Sequence, residues 1–239
     1  MGVTFVTALY LPSGSTYKTV DRYFDLFEQL AGTGIPLIVY LDVRLASRGS
    51  ALCARHPNII RCIYNVFDRS LVVRDLVLPA VRNFDKDTAD YMCIQLTKLR
   101  LMAEVAAATA TAAGTMGTLA WIDFGIYHMF KNWDRCDDLL REISDWDFIG
   151  DHILSPGYKN YTEELFENIC WKHCGSLLIG TGPAFIRAYE TQTTLLLENI
   201  PRITWEVNYW AMMDDYFKIY IANHNDRILE GLVDIKKSL

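Results

Sequence analysis

The sequence predicts a single α/β domain with a mainly parallel, mixed central sheet flanked by helices. The chain opens with an apolar strand, an amphipathic helix and a second apolar strand. Strands that are apolar on both faces are typical of parallel sheets covered by helices on both sides. The 239 residues suffice for one sizeable core, and no internal repeat, low-complexity tract or linker divides them.

The first half of the chain alternates predicted strands and helices. Runs of β-branched and aromatic residues predict strands at residues 3–10, 36–42, 58–66 and 119–123. A helix is predicted at 16–30, where Val20, Phe24 and Phe27 recur at spacings of three and four and form an apolar face. A longer helix is predicted at 87–113, because acidic residues at its start suit the positive end of a helix.

The second half of the chain has a less regular pattern. In chain order it predicts a helix at 133–140, strands at 146–150 and 174–180, a helix at 183–199 and a strand at 217–221. Pro183 fits the first turn of its helix, where the missing N–H is not needed. These elements complete one domain covering residues 1–239.

Charge and hydropathy exclude several classes of partner. The 23 lysines and arginines face 29 aspartates and glutamates, and a net charge of −6 argues against nucleic acid as a partner. The charge-free stretch 105–122 is diluted by threonines and glycines, so it predicts a helix end, a loop and a strand rather than a membrane span. The first residues lack the layout of a secretory signal, and we expect a cytoplasmic protein.

The six cysteines are spread through apolar or helical stretches and predict reduced, mostly buried thiols. Cys170, His173 and Cys174 form a fragment of a metal-binding pattern. Neither a C-x-x-C pair nor a second pair of ligands accompanies them. The buried-thiol interpretation is therefore preferred to a zinc site.

Two aspartates, Asp42 and Asp123, each end an apolar predicted strand. Parallel α/β sheets bind ligands at the carboxyl ends of their strands, so both are candidates for a binding site. The alternative is that each side chain only caps the following turn. For Asp123 we favour binding, because Gly125 follows and lets a ligand approach the backbone closely.

Several catalytic motifs are missing from the sequence. It has no P-loop, no G-x-G-x-x-G fingerprint and no G-x-S-x-G elbow, which argues against dehydrogenases and serine hydrolases. Residues 123–125 spell the D-F-G of protein kinases, but the H-R-D and A-P-E segments are absent. A kinase is therefore not expected.

The order of several segments resembles the glycosyltransferases of the GT-A fold, and among them the bacterial HtrL/YibB-type proteins. The resemblance covers most of the chain. It rests on the segments 4–10, 36–42, 91–98, 121–125, 180–182, 204–210 and 223–226. It implies a GT-A-like, Rossmann-like domain that binds a nucleotide-sugar donor and transfers the sugar to a glycan, protein or lipid acceptor.

The resemblance also implies which residues bind the donor. Thr7 and Ala8 are expected near the nucleoside, Asp42 at the next strand end, and Lys98 facing the diphosphate. The remaining expected donor-binding residues are Asp123, Gly125 and Gly180.

A divalent cation, Mn²⁺ or Mg²⁺, is the cofactor implied by the family's D-x-D motif. Asp123 matches its first acidic position, which binds the ribose or the ion. The second acidic position is Gly125, which supplies no charged oxygen. His224 or Asp226 are expected to complete the metal site, and the alternative is that residues 223–226 form only a polar turn.

Glycosyl transfer with inversion needs a carboxylate base near the acceptor hydroxyl. Glu206 is the first candidate, because Trp205, Tyr209 and Trp210 around it could stack on sugars, although Trp210 and Met213 equally fit a buried core at helical spacing. Asp151 is the second candidate. Two other functions stay open: a non-catalytic domain that binds nucleotide sugars or carbohydrates, and a nucleotidyltransferase.

Overall fold

The computed structural model describes residues 2–12, 18–67, 75–113, 117–158, 163–222 and 224–238, with residues 112 and 113 as backbone only. The strands are β1 (Thr4–Leu9), β2 (Leu37–Asp42), β3 (Ile59–Asn65), β4 (Thr118–Ile122), β5 (Ile153–Gly157), β6 (Leu177–Thr181) and β7 (Phe217–Ile221). The helices are α1 (Val20–Gly32), α2 (Ala46–Arg55), α3 (Ala89–Ala113), α4 (Trp133–Ser144), α5 (Gly182–Asn199), α6 (Glu206–Ala211) and α7 (Arg227–Ser238).

All seven strands belong to one sheet, in the order β3-β2-β1-β4-β6-β5-β7. Neighbouring strands from β3 to β4 are parallel, β6 is antiparallel to both of its neighbours, and β5 and β7 are parallel. Six strands therefore run in one direction and β6 runs in the other. The predicted α/β class, with a mainly parallel mixed sheet flanked by helices, is confirmed.

Helices cover both faces of the sheet. Successive side chains of a strand point to opposite faces, so neighbouring residues of β1 lie in different cores. Phe5 of β1 lies in the core that includes buried residues of α1, α2, α4 and α7. Val6 lies in the core that contains residues of α3, α5 and α6. Among the helices of the described ranges, none is both long enough and apolar enough to cross a bilayer.

Local sequence explains where α1 begins and ends. The Thr19 side chain accepts a hydrogen bond from the Arg22 N–H at 3.2 Å and caps the first turn. Gly34 has a φ of +83° just beyond the helix, a conformation that glycine adopts without strain. The predicted start at Thr16 lies outside the described residues.

Two parts of the predicted element order are wrong. Residues 146–150 form no strand, although Trp146 and Phe148 are buried and pack against each other. The strand at this point is β5, whose Pro156 and Gly157 disfavour a strand by propensity. The helices α2, α6 and α7 were not predicted.

Candidate functional site

A cleft of about 410 Å³ opens at the end of the sheet where β1 and β4 finish, which we call the carboxyl end. Ionisable side chains from several elements line it. They are Lys18, Lys86, Lys98, Asp123, His128 and Glu206. Crevices of this kind, outside the carboxyl ends of parallel strands, are where open α/β sheets bind ligands.

Asp123 lies at the floor of the cleft, directly after β4. Its backbone N–H donates to the Ser176 carbonyl at 2.9 Å, which holds the residue against the chain leading into β6. Its Oδ1 accepts the indole N–H of Trp121 at 2.9 Å. With its side chain 34% exposed, Asp123 is fixed by the protein and still open to a ligand.

Lys98 of α3 bridges the Asp123 and Glu206 carboxylates from below. Its Nζ lies 3.1 Å from Asp123 Oδ1 and donates to Glu206 Oε1 at 3.0 Å and to the Gly175 carbonyl at 2.8 Å. The Lys98 side chain is 4% exposed. Burial opposes the ammonium form, but the two carboxylates outweigh this effect and raise the pKa of Lys98. Lys98 therefore stays charged and binds both acids.

Three further basic side chains line the cleft together with the triad of Lys98, Asp123 and Glu206. Lys18 precedes α1, Lys86 precedes α3, and His128 lies in the 3-10 turn Ile126–Met129 after β4. Burial lowers the pKa of Lys18, and repulsion from Lys86 lowers it further. The pKa of His128 is lowered by burial, and repulsion from Lys18 and Lys86 adds to the effect. The three groups are thus close enough to repel one another.

Aromatic rings form much of the rest of the wall. Lys18 Nζ lies 5.7 Å from the centre of the Tyr23 ring, and Lys86 Nζ lies 5.0 Å from that of Tyr91. Contacts of this length are cation–π interactions, which hold each ammonium group beside its ring. Trp171, 47% exposed, adds an open indole face.

The structure brings together part of the predicted site. Ala8, Lys98, Asp123, Gly125 and Glu206 all line the cleft. Their side chains or backbone reach it from β1, α3, the turn after β4 and the start of α6.

Two other predicted donor-binding residues do not line the cleft. Asp42 is buried and binds Arg44, with Nε 2.8 Å from Oδ1 and Nη2 2.7 Å from Oδ2. It also accepts the Arg44 N–H at 3.0 Å, so it caps the turn after β2. Thr7 is fully buried within β1.

The remaining predicted residues lie elsewhere. Gly180 pairs with Leu119 near the start of β4, and Asp151 is an exposed residue before β5, so both are far along the sheet from its carboxyl end. His224 and Asp226 line a second cavity of about 300 Å³, which adjoins the cleft and shares Met129 and Asn225 with it. Asp226 accepts the Lys131 N–H there at 3.1 Å. Asn223, the first residue of the predicted polar turn, lies outside the described residues.

No protein-family model matches the chain, and no curated protein matches it in sequence. Among solved structures, a glycosyltransferase involved in the glycosylation of the major capsid of PBCV-1 is 8% identical over 92% of this chain and 82% of its own, with a TM-score of 0.43. The 4-diphosphocytidyl-2C-methyl-D-erythritol synthase from Anaerococcus prevotii is 7% identical over 100% of this chain and 96% of its own, with a TM-score of 0.42. Mouse xyloside xylosyltransferase 1 is 8% identical over 98% of this chain and 82% of its own, with a TM-score of 0.38. Similarity at this level leaves the function to be argued from the cleft.

The residues around Asp123 do not fit a divalent cation. Such ions require several oxygen ligands, and the position two residues after Asp123 is Gly125. The nearest other carboxylate, Glu206, already shares the Lys98 ammonium with Asp123. Within the described stretches, no three histidine, cysteine, aspartate or glutamate side chains cluster as an ion site would require.

Sequence reasoning assigned no role to Lys18, Lys86 or His128. Their positions in the sequence did carry a signal, because each lies in a segment that follows a parallel strand. Lys18 follows β1, Lys86 follows β3 and His128 follows β4. Such loops meet at the carboxyl end of the sheet. Basic residues in all three loops were therefore candidates for one shared site.

Proposed function

We propose that the protein is a glycosyltransferase of the GT-A kind, which moves a sugar from a nucleotide-sugar donor to an acceptor hydroxyl. The observation that carries this proposal is the meeting of Asp123, three basic side chains and several aromatic rings in one cleft at the carboxyl end of the sheet. The resemblance of the sequence to the HtrL/YibB-type proteins supports the same assignment.

A nucleotide sugar carries the groups that this cleft is suited to bind. Its diphosphate is an anion that the ammonium groups of Lys18 and Lys86 attract. Its ribose and sugar hydroxyls can donate to the partly exposed Asp123 carboxylate. The exposed face of Trp171 suits packing against the apolar side of a sugar ring.

In the proposed reaction the acceptor oxygen bonds to the anomeric carbon while the bond from that carbon to the diphosphate oxygen breaks. Negative charge develops on the departing diphosphate, and basic groups already held in place stabilise it. The acceptor hydroxyl gives its proton to a base. Glu206 is the candidate we propose for this role, because it lines the cleft and Asp151 does not.

The burial of Glu206 favours a second candidate function, a domain that binds a nucleotide sugar without transferring it. The Glu206 side chain is 8% exposed and accepts a hydrogen bond from Lys98. A carboxylate in that position is poorly placed to collect a proton from an acceptor. Binding and turnover must therefore be measured separately.

A thermal-shift panel of UDP-, GDP-, TDP- and CMP-sugars, with and without Mn²⁺, tests the binding step. Because a ligand that binds only the folded protein raises the melting temperature, at least one donor is expected to do so. A donor-hydrolysis assay on each hit then tests turnover. Stabilisation without hydrolysis or transfer supports the binding domain, and no stabilisation by any donor contradicts both candidates.

Asp123→Asn tests whether the donor site is where we propose it. The change removes a charged acceptor from the cleft floor, and we expect donor affinity to fall about tenfold or more. Asp42→Asn is the matched control, since Asp42 also ends a strand but binds Arg44 and not the cleft. It is expected to lower the melting temperature and leave donor affinity unchanged. Unchanged affinity in folded Asp123→Asn would refute this location.

A further inference from the structure

We infer that Lys18, Lys86 and His128 form an anion subsite that binds the diphosphate of the nucleotide ligand without a divalent cation. This inference rests on the proposed function and adds to it how the diphosphate is held. It assigns a role to three residues that the sequence had left without one.

The first argument is that three separate loops bring basic groups into the same cleft. Lys18 comes from the loop between β1 and α1, Lys86 from the segment between β3 and α3, and His128 from the turn after β4. The His128 Nδ1 lies 2.6 Å from the Gly125 carbonyl oxygen, to which it donates. This bond fixes the ring and leaves Nε2 for a ligand. Nε2 donates to a phosphate oxygen when the ring is protonated, which a bound dianion favours.

The second argument is electrostatic. Positive groups that repel each other in the protein alone are stabilised together when a dianion lies between them. Lys18 and His128 both have pKa values lowered by burial and by the neighbouring positive charges. Asp123 attracts both groups, but its Oδ1 is already engaged by Lys98 and by Trp121. A diphosphate provides the additional negative charge that these groups favour.

The third argument is that the position of a bridging ion is already taken. The Lys98 ammonium lies between Asp123 and Glu206 and neutralises one of their two charges. A second acidic residue at position 125 would also be crowded, since a Cβ there would lie 3.2 Å from the Tyr23 ring. The protein's own ammonium groups therefore replace the charge that an ion would supply.

Calorimetric titration with UDP, GDP, CDP and TDP tests the inference, each measured in EDTA and again with Mn²⁺ or Mg²⁺. The nucleotide that binds is expected to do so with the same affinity, within about twofold, in both buffers. Lys18→Gln and Lys86→Gln are each expected to weaken that binding about tenfold, the effect of losing one charge-assisted hydrogen bond. The same two substitutions are expected to weaken binding of the corresponding nucleoside, which has no diphosphate, much less. Lys218→Gln is the control, because it is the same change at an exposed residue of β7.

The possible results separate this inference from the function on which it rests. Binding that appears only with Mn²⁺ or Mg²⁺ overturns the anion subsite and leaves the proposed function standing. Full affinity of both lysine variants also overturns the subsite. If none of the nucleotides or their sugars binds in either buffer, the proposed function itself is contradicted.

Discussion

At the scale of single residues, the Lys98 ammonium decides what the carboxylates around it can do. A buried carboxylate without a partner is unfavourable, and two of them side by side repel each other. Lys98 Nζ lies 3.1 Å from Asp123 Oδ1 and 3.0 Å from Glu206 Oε1, so the two carboxylates share one ammonium partner. The partly exposed Asp123 carboxylate can still accept hydrogen bonds from hydroxyl groups in the cleft.

His173 should make the protein less stable in weak acid. It is fully buried, with Nδ1 3.2 Å from Ser155 Oγ, and burial lowers its pKa to about 4 from the usual 6.5. The unfolded chain binds a proton at this residue below pH 6.5, whereas the folded protein does not until about pH 4. The free energy of unfolding therefore falls as the pH drops through this window.

Urea unfolding at pH 7 and pH 5, for the native protein and for His173→Gln, measures this effect. From the size of the pKa shift, the free energy of unfolding of the native protein should fall by about 2 kcal/mol more than that of the variant between pH 7 and pH 5. Far-UV circular dichroism reports the unfolding midpoint. Equal losses in the two proteins would mean that His173 titrates as it does in an unfolded chain.

The two strand-end aspartates show what single-residue reasoning could reach. The sequence identified Asp42 and Asp123 as the ends of apolar strands. The structure places Asp42 as the last residue of β2 and Asp123 directly after β4. What separates them is the partner of each carboxylate: Asp42 caps its own turn and binds Arg44, two residues further on, while Asp123 meets Lys98 from a helix. The cap at Asp42 is the alternative that the sequence offered, whereas the contact of Asp123 with Lys98 joins two distant elements and has no signature in the local sequence.

At the scale of elements, Gly175 controls how α3 and α6 meet at the start of β6. A Cβ at this position would overlap the Glu206 carboxylate and lie 3.2 Å from Lys98 Nζ. Because Glu206 is largely buried, it has little room to move aside. Gly175→Ala is therefore expected to break the Lys98–Glu206 contact and to weaken donor binding. Overpacking at this position should lower the free energy of unfolding by about 1–3 kcal/mol.

Gly32→Ala is the matched control for this glycine substitution. Gly32 is the last residue of α1 and is exposed, and a Cβ at this position would meet no atom within 4 Å outside its own helix. Alanine there is expected to leave stability unchanged or raise it by up to about 1 kcal/mol, because it favours the helix. Thermal melts and donor titrations on both variants check the pair. A Gly175→Ala protein with native stability and native affinity would show that the triad tolerates the displacement.

The elements that sequence could predict are those with a long, clear hydrophobic pattern. The strands β1 to β4 and the helices α1, α3 and α5 were found to within a few residues. The strand β5 contains Pro156 and Gly157, and its burial comes from neighbouring strands and not from a local pattern. The six-residue helix α6 is too short for its periodicity to be recognised.

At the scale of the whole molecule, the reversed direction of β6 completes the cleft. Because β6 runs antiparallel to β4, the residues before it lie at the carboxyl end of the sheet. They supply the Gly175 carbonyl to Lys98 and the Ser176 carbonyl to the Asp123 N–H. The sequence predicted a strand here but contained nothing that gave its direction, so this part of the site could not be predicted.

The helix α7 contributes to stability at a distance from the cleft. It buries Ile228, Leu229, Leu232 and Val233 in the core on its face of the sheet, next to α4. The buried Tyr220 hydroxyl donates to the Ile228 carbonyl at 2.6 Å and ties the helix to β7. Leu232, 1% exposed, does not line the cleft.

Leu232→Ala is therefore expected to lower stability without changing the site. Removing a buried leucine from a packed core costs about 2–5 kcal/mol, which urea unfolding at 25 °C measures directly. Leu197→Ala, a change of the same size in α5, is the control, because Leu197 is 65% exposed. It should change stability by no more than about 0.5 kcal/mol. Donor affinity, measured where both variants are folded, should match the native value, since core packing around α7 and ligand contacts in the cleft involve different residues. A loss of affinity in folded Leu232→Ala would instead show that α7 helps to hold the carboxyl end of the sheet in its binding conformation.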